Sequence, residues 1–242
     1  MVFYVIGLGL SDAKDVSCRG LEIIKSCKKV FLEKYTSILL CPLSELEEFY
    51  GRKDLVEADR TMVEQQSDII LEHAKTSDVA FLVVGDPLSA TTHTDLILRA
   101  VQEKIPYRVL HNASIMNAIG CTGLQLYNFG ETVSIVFWED SWKPTSYFDK
   151  ILKNRKQGYH TLCLLDIKMK EQTVENIMKG NNIFEPPRWM TCQDCAQQFL
   201  EILEMDEYQD CGIKKDQLVV GVSKVGSDQQ KIVACTGRKC KK

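Results

Sequence analysis

The chain has 242 residues, 45% hydrophobic and 26% charged, enough for a sizeable core in one large domain or two small ones and too apolar for general disorder. Thirty basic residues stand against thirty-three acidic ones, a net charge of −3, which excludes the overall electrostatic footprint of a nucleic-acid binder. The longest apolar runs, Val2 to Ile6 and Val79 to Val84, fall far short of the roughly 20 residues that cross a bilayer.

Gly7 and Gly9 interrupt the first apolar run where a secretory signal would continue, so the expected setting is cytoplasmic, with no membrane partner. Ten cysteines are scattered through an ordinary composition, and free thiols in a reducing compartment are expected. The basic tail Arg238 to Lys242 reads as a solvated end, and it lacks the residues that a prenylation motif needs after Cys240.

Short apolar runs alternate with longer stretches of helical period, the pattern of α/β layers. In the first half, strands are expected at Val2 to Ile6, Lys29 to Glu33, Asp54 to Ala58, Val79 to Val84 and Tyr107 to Leu110. Helices are expected between them at Val16 to Ser26, Leu43 to Phe49, Met62 to Ala74 and Thr94 to Gln102. That order implies a parallel sheet with right-handed crossovers. A helix follows over Ser114 to Tyr127, capped by Asn112 or Ser114, although Gly120 and Gly123 weaken it. The domain boundary is placed at its start, giving an N-terminal domain over 1–112 and a C-terminal domain over 113–242. The second half offers strands at Val133 to Trp138, Thr161 to Ile167, Leu218 to Val222 and Lys231 to Cys235, and helices at Tyr147 to Lys156, Val174 to Met178 and Thr191 to Glu204. It reads as a second α/β unit.

Three strand ends carry small or polar residues. The first strand runs into Gly7-Leu8-Gly9-Leu10-Ser11-Asp12, where backbone can approach a ligand with no Cβ between. Asp12 stands where the dinucleotide fingerprint wants a third glycine, which disfavours a Rossmann NAD site. Gly85-Asp86-Pro87-Leu88-Ser89 follows another buried strand, as a ligand loop or as an ordinary Asp-punctuated turn. Asn112-Ala113-Ser114-Ile115 is the third, after a strand and at a helix start. Three such loops at one edge of one sheet predict a cleft there.

These stretches, together with Glu33-Lys34-Tyr35-Thr36-Ser37, Ala90-Thr91-Thr92-His93, Phe129-Gly130-Glu131-Thr132 and Thr161 to Lys168, closely resemble the diphthine synthase family of the tetrapyrrole methylase superfamily, in that family's order and over nearly the whole chain. The eukaryotic branch is the closer match. The resemblance implies two α/β domains with S-adenosylmethionine in the cleft between them, S-adenosylhomocysteine as product, and a homodimer. Its substrate would be a histidine of translation elongation factor 2 that already carries a 3-amino-3-carboxypropyl group, methylated repeatedly in diphthamide biosynthesis. Carried over by position, the cofactor contacts would be Leu10, Asp86, Ser89, Ser114, Ile115, Leu165, and Val222 or Ser223. Ser89 stands where relatives often carry glycine. The resemblance also implies a histidine-bearing stretch beyond the segment matching Gly221 to Thr236, and without it a more open adenine pocket. The competing expectations are an inactive homologue that binds cofactor as a binding protein, and a methylase of small tetrapyrroles.

No catalytic residue is assigned, because no side chain is singled out as the acceptor of the proton that an amine must lose before methylation. The Cys192-Gln193-Asp194-Cys195 pattern has no second pair at zinc-finger spacing, so no metal is expected. The four histidines, His73, His93, His111 and His160, read as solvated or hydrogen-bonded, since no Gly-x-Ser-x-Gly elbow accompanies them.

Overall fold

Five of the apolar runs form β1 (Phe3–Gly7), β2 (Lys29–Glu33), β3 (Leu55–Ala58), β4 (Val79–Val83) and β5 (Tyr107–Leu110), with α1 (Cys18–Ser26), α2 (Leu43–Tyr50), α3 (Asp68–Thr76) and α4 (Thr94–Gln102) between them. The structure is a computed structural model, and it describes residues 1 to 237; the basic tail expected to be solvated lies outside the described residues. The chain divides into two units, Met1–Ala118 with Lys224–Gln230, and Ile119–Ser223 with the stretch from Lys231 onward.

In the first unit the five strands make one parallel sheet in the order β3-β2-β4-β1-β5. Both faces are covered, which is why β1 and β4 carry no charged residue, whereas β5 at the edge of the sheet exposes Tyr107 and Arg108. Phe3, Val5, Phe31, Phe81 and Val83 pack on one face with Ile70 and Leu71 of α3 and Leu96 and Ala100 of α4. Ile6, Val30, Leu32, Ala80 and Leu82 point the other way, to Ile24 of α1 and Leu46 and Tyr50 of α2. Such period-two alternation between two helical layers buries each large side chain at a gain of about 2 kcal/mol or more. Because all five strands are parallel, the loops that leave β1, β4 and β5 emerge at one edge, with β1 in the middle of the three.

One helix expected in this unit is broken. Thr61–Gln65 is a π-turn and α3 begins only at Asp68. Asp59 Oδ1 accepts from Met62 N at 2.9 Å, and the Ser67 hydroxyl that would cap α3 instead accepts from Arg99 Nη1 at 2.9 Å. The break itself falls at Gln66, whose φ of −126 and ψ of 36 leave helical geometry.

The helix expected over Ser114 to Tyr127 is also corrected. α5 covers only Ile115–Ala118, followed by 3-10 turns at Ile119–Thr122 and Leu126–Asn128. Gly123 adopts φ +83, a left-handed conformation that a helix interior does not accommodate.

The second unit contains β6 (Val133–Ile135), α6 (Ser146–Lys156), β7 (Cys163–Leu165), β8 (Ile167–Lys168), α7 (Val174–Met178), β9 (Arg188–Trp189), α8 (Cys192–Ile202), β10 (Leu218–Ser223) and β11 (Lys231–Thr236). β6 and β7 pair parallel, whereas β8 with β9 and β10 with β11 pair antiparallel. The strand expected over Thr161 to Ile167 is therefore two. Asp166 separates them, its carboxylate accepting from Phe137 N at 3.1 Å and its carbonyl from Met190 N at 3.0 Å. The strand expected over Val133 to Trp138 stops at Ile135. α8 carries a full capping box between Thr191 and Asp194. Its core joins Val133, Ile135, Tyr147, Phe148, Met190 and Ile202.

Among the described residues eight cysteines are free and Cys235 is disulfide-bonded, which corrects the expectation that every thiol is free. Irregular spacing carried no signal for a bond that depends on the local approach of two Cβ atoms. Burial pushes the Cys195 thiol up, while Cys192 is exposed. Among the described residues no group of three or more His, Cys, Asp or Glu is arranged to hold a metal, and no helix is long and apolar enough to cross a membrane.

Asn154, 3% exposed on α6, holds the Gly130-Glu131 segment. Its Oδ1 accepts from Glu131 N at 3.0 Å, and its Nδ2 donates to Glu131 O at 2.8 Å and Thr161 Oγ1 at 3.0 Å. A Cβ on Gly130 would lie 2.2 Å from Asn154 Oδ1, so glycine is needed for this approach. Asn154→Ala strips both backbone groups of Glu131 of their partner, and urea unfolding is expected to show a loss of about 2 to 3 kcal/mol.

Candidate functional site

The loops after β1 and β4 are joined by an antiparallel bridge between two glycines. Gly9 N donates to Gly85 O at 3.2 Å and Gly85 N to Gly9 O at 2.7 Å. Both glycines have positive φ, +80 and +76, where other residues are strained. The third loop closes on them through Asn112, whose Nδ2 donates to Gly7 O at 3.0 Å and Asp15 O at 2.9 Å. A Cβ on Gly7 would stand 2.6 Å from Gly85 O and 2.8 Å from Asn112 Cβ, so only glycine fits where the three loops meet. Asp15 Oδ2 then accepts from Leu10 N at 3.1 Å and Ser11 N at 2.8 Å, shaping the first loop.

Asp86 is the charged group at the centre of this cluster, and only 6% of it is exposed. Its Oδ1 accepts from Leu88 N at 2.9 Å and from the Ser89 hydroxyl at 3.5 Å. Its Oδ2 accepts from Asn112 N at 3.1 Å and pairs with His111 Nδ1 at 2.8 Å. Burial alone would raise its pKa, but the two backbone N–H groups and His111 outweigh burial and hold the carboxyl below its ordinary value.

A second buried carboxylate supports the loop after β2. Glu33, 1% exposed, accepts from Tyr35 N at 2.8 Å, Thr36 N at 2.6 Å and Thr36 Oγ1 at 2.8 Å. The ring of His93 lies 3.9 Å away, too far for a hydrogen bond, and both its nitrogens are buried without a partner. It meets Phe81 and Tyr35 edge-on, at centroid distances of 5.2 and 6.0 Å.

The family model for Tetrapyrrole (Corrin/Porphyrin) Methylases matches residues 2–240. The chain belongs to the tetrapyrrole methylase family, and it is a methyltransferase. It is 59% identical over 239 residues to the diphthine methyl ester synthase of Homo sapiens, a match covering 98% of this chain and 84% of that protein. Among solved structures it resembles that of an Entamoeba histolytica protein assigned to the diphthine synthases, with a TM-score of 0.86, 47% identity, and 99% and 86% of the two chains covered. It also resembles a crystal structure of diphthine synthase, with a TM-score of 0.79, 30% identity, and 100% and 84% covered.

Within this methylase the first unit brings Leu10, Asp86, Ser89, Ser114 and Ile115 to one sheet edge. Ser114 Cβ lies 3.6 Å from where a Cβ on Gly85 would stand, and Ser114 Oγ accepts from Met116 N at 3.2 Å. Gly226, in the 224–230 segment of the same unit, leaves room for Leu10: a Cβ there would come within 3.0 Å of Leu10 Cβ. Leu165 ends β7, and Val222 and Ser223 end β10, on separate two-stranded sheets of the second unit. Their role rests on the resemblance alone. His111, expected to be solvated or hydrogen-bonded, is exposed and bonded to Asp86; its place directly after β5, one residue before Asn112, was the signal for a place in this cluster.

Asp86 stabilises the native state by being ionised there. With its folded pKa below the ordinary Asp value of about 3.9, that stability is complete above the ordinary value and is lost as pH falls through the lower folded one. Urea unfolding is expected to place Asp86→Asn about 1 to 3 kcal/mol below the wild type at pH 7. The gap should close as both proteins are taken toward pH 2.

Proposed function

We propose that this methyltransferase acts on translation elongation factor 2 and makes the methyl ester of diphthine. The substrate is a histidine carrying a 3-amino-3-carboxypropyl group, whose amine is methylated to a trimethylammonium and whose carboxylate is then esterified. The observation that carries the reading is 59% identity, over 98% of this chain, to a relative named for that product. The reaction is placed in the cytoplasm, in a homodimer.

S-adenosylmethionine, when bound, supplies the methyl group from its sulfonium. The residues at the sheet edge suit such a ligand: an ionised carboxylate and hydroxyls on Ser89 and Ser114, carried on loops that Gly7, Gly9 and Gly85 allow to pack closely on one another. A cationic cofactor gains from the negative charge of Asp86. The acceptor sites of that carboxylate are already engaged by Leu88, Ser89, His111 and Asn112. Asp86 therefore serves the ligand by its field and by holding the loop, with backbone and hydroxyl groups making the direct contacts. Methyl transfer between a sulfonium and an amine asks chiefly for alignment, and a rigid loop cluster provides it.

Two measurements test the reading. Mass spectrometry of precursor elongation factor 2 incubated with enzyme and S-adenosylmethionine should show successive additions of one methyl mass, ending in a product that mild alkali shortens by one methyl as the ester hydrolyses. Methylation of a small tetrapyrrole with none of the elongation factor would overturn it. Titration calorimetry should show Asp86→Ala binding the cofactor at least tenfold more weakly than the wild type, because two backbone N–H groups lose their acceptor and the loop loosens.

A further inference from the structure

The amine of the substrate is protonated at neutral pH, and a protonated amine has no lone pair with which to attack. The chemistry needs a proton acceptor. His111 ends β5's exit beside Asp86, with Nδ1 2.8 Å from Asp86 Oδ2 and 68% of its side chain exposed. An ionised carboxylate only accepts hydrogen bonds, so Nδ1 carries the proton of that contact and, in the neutral ring, Nε2 carries the lone pair. The ring is held at one nitrogen by a buried group and exposed around the rest. Asn112, the next residue, donates its backbone N–H to the same carboxylate oxygen and its side chain to Gly7 O. The orientation of the imidazole is thereby tied to the backbone of the glycine loops.

We propose that His111 is the general base of the amine methylations, oriented by Asp86. The inference rests on the reading of the substrate given above. In each round an N–H bond of the substrate ammonium breaks, its electron pair stays on nitrogen, and the proton passes to His111 Nε2 and on to solvent from the exposed ring; that pair then forms the N–CH3 bond as the C–S bond of the methyl donor breaks and its electrons return to sulfur, leaving S-adenosylhomocysteine. The nitrogen carries a positive charge again after each transfer, so the step recurs until no N–H remains. A carboxylate already has its lone pair, so the ester-forming step needs no base.

His111→Asn is the informative variant. The Asn amide can take the place of Nδ1 and keep the hydrogen bond to Asp86, but it cannot accept the proton. The expected result is cofactor affinity within about twofold of the wild type by calorimetry, and a rate of the first amine methylation at pH 7 lower by about 100-fold or more. That deficit should shrink as pH rises toward the pKa of the ammonium itself, and free imidazole should restore part of the rate to His111→Ala. Esterification of a substrate already trimethylated should fall far less than amine methylation. In the cofactor-free protein, long-range proton–nitrogen NMR should show His111 as the Nδ1–H tautomer, and Asp86→Asn should abolish that preference.

Three outcomes would overturn the assignment. Loss of cofactor binding in His111→Asn would make the residue a strut for the loop. Amine methylation at the wild-type rate would show that solvent takes the proton. An Nε2–H tautomer in the free protein would leave no lone pair where the base is needed. Should the wild type itself transfer no methyl group to the elongation factor while binding cofactor, the proposed substrate fails, and the base assignment falls with it.

Discussion

Close backbone approach between Gly9 and Gly85 is the constraint on which the rest of the site depends. The adjacent strands β1 and β4 are followed by helices on opposite faces of the sheet, α1 and α4, so their loops set out in different directions. Here both loops turn with positive φ and exchange two hydrogen bonds across the gap. A side chain at Gly7 would meet Gly85 O well inside van der Waals contact, so the arrangement exists only because three positions lack a Cβ. Once the loops are joined, Asp86 is carried beneath them and becomes buried. A buried carboxylate is costly unless donors surround it, and the backbone N–H groups of Leu88 and Asn112 with His111 meet that need. The third loop is recruited by the same charge that the first two bury.

Much of this was legible in the sequence, for a physical reason. The strands of the first unit are short, rich in apolar residues and bounded by glycine, proline or polar clusters, and both faces of the sheet are covered by helices. Such strands announce themselves as continuous apolar runs. The loops were equally visible, because Gly7, Gly9, Gly85, Asp86 and Asn112 all follow strands of one parallel sheet, where topology alone brings their ends together.

The parts that were not legible depended on particular side-chain bonds. Periodicity carried the Met62 to Ala74 helix through a break at Gln66, next to Ser67, whose hydroxyl is taken by Arg99. It likewise carried Ser114 to Tyr127 past Gly123, whose positive φ ends helical geometry. Asp166 splits a strand because its carboxylate and carbonyl serve Phe137 and Met190, far from it in sequence. β9 is two residues long after two prolines, too short for any period to register. His111 reads as solvated or hydrogen-bonded and is both, but the identity of its partner, Asp86, twenty-five residues earlier, leaves no mark in the sequence.

Asp86 and Glu33 show how the same residue type is put to different use at one sheet edge. Both are buried and both accept backbone N–H groups of a following loop. Glu33 spends its capacity on Tyr35 and Thr36, and its neighbouring histidine, His93, is sealed from solvent with both nitrogens unpartnered. That histidine has no route for a proton and serves by packing against Phe81 and Tyr35. Asp86 spends one oxygen on its own loop and the other across to His111, whose ring is mostly exposed. Burial of the carboxylate and exposure of the imidazole together separate the group that orients from the group that exchanges protons. Chemistry needs both conditions: an oriented base that solvent cannot reach would keep its first proton, and an exposed base with no buried partner would not hold its orientation.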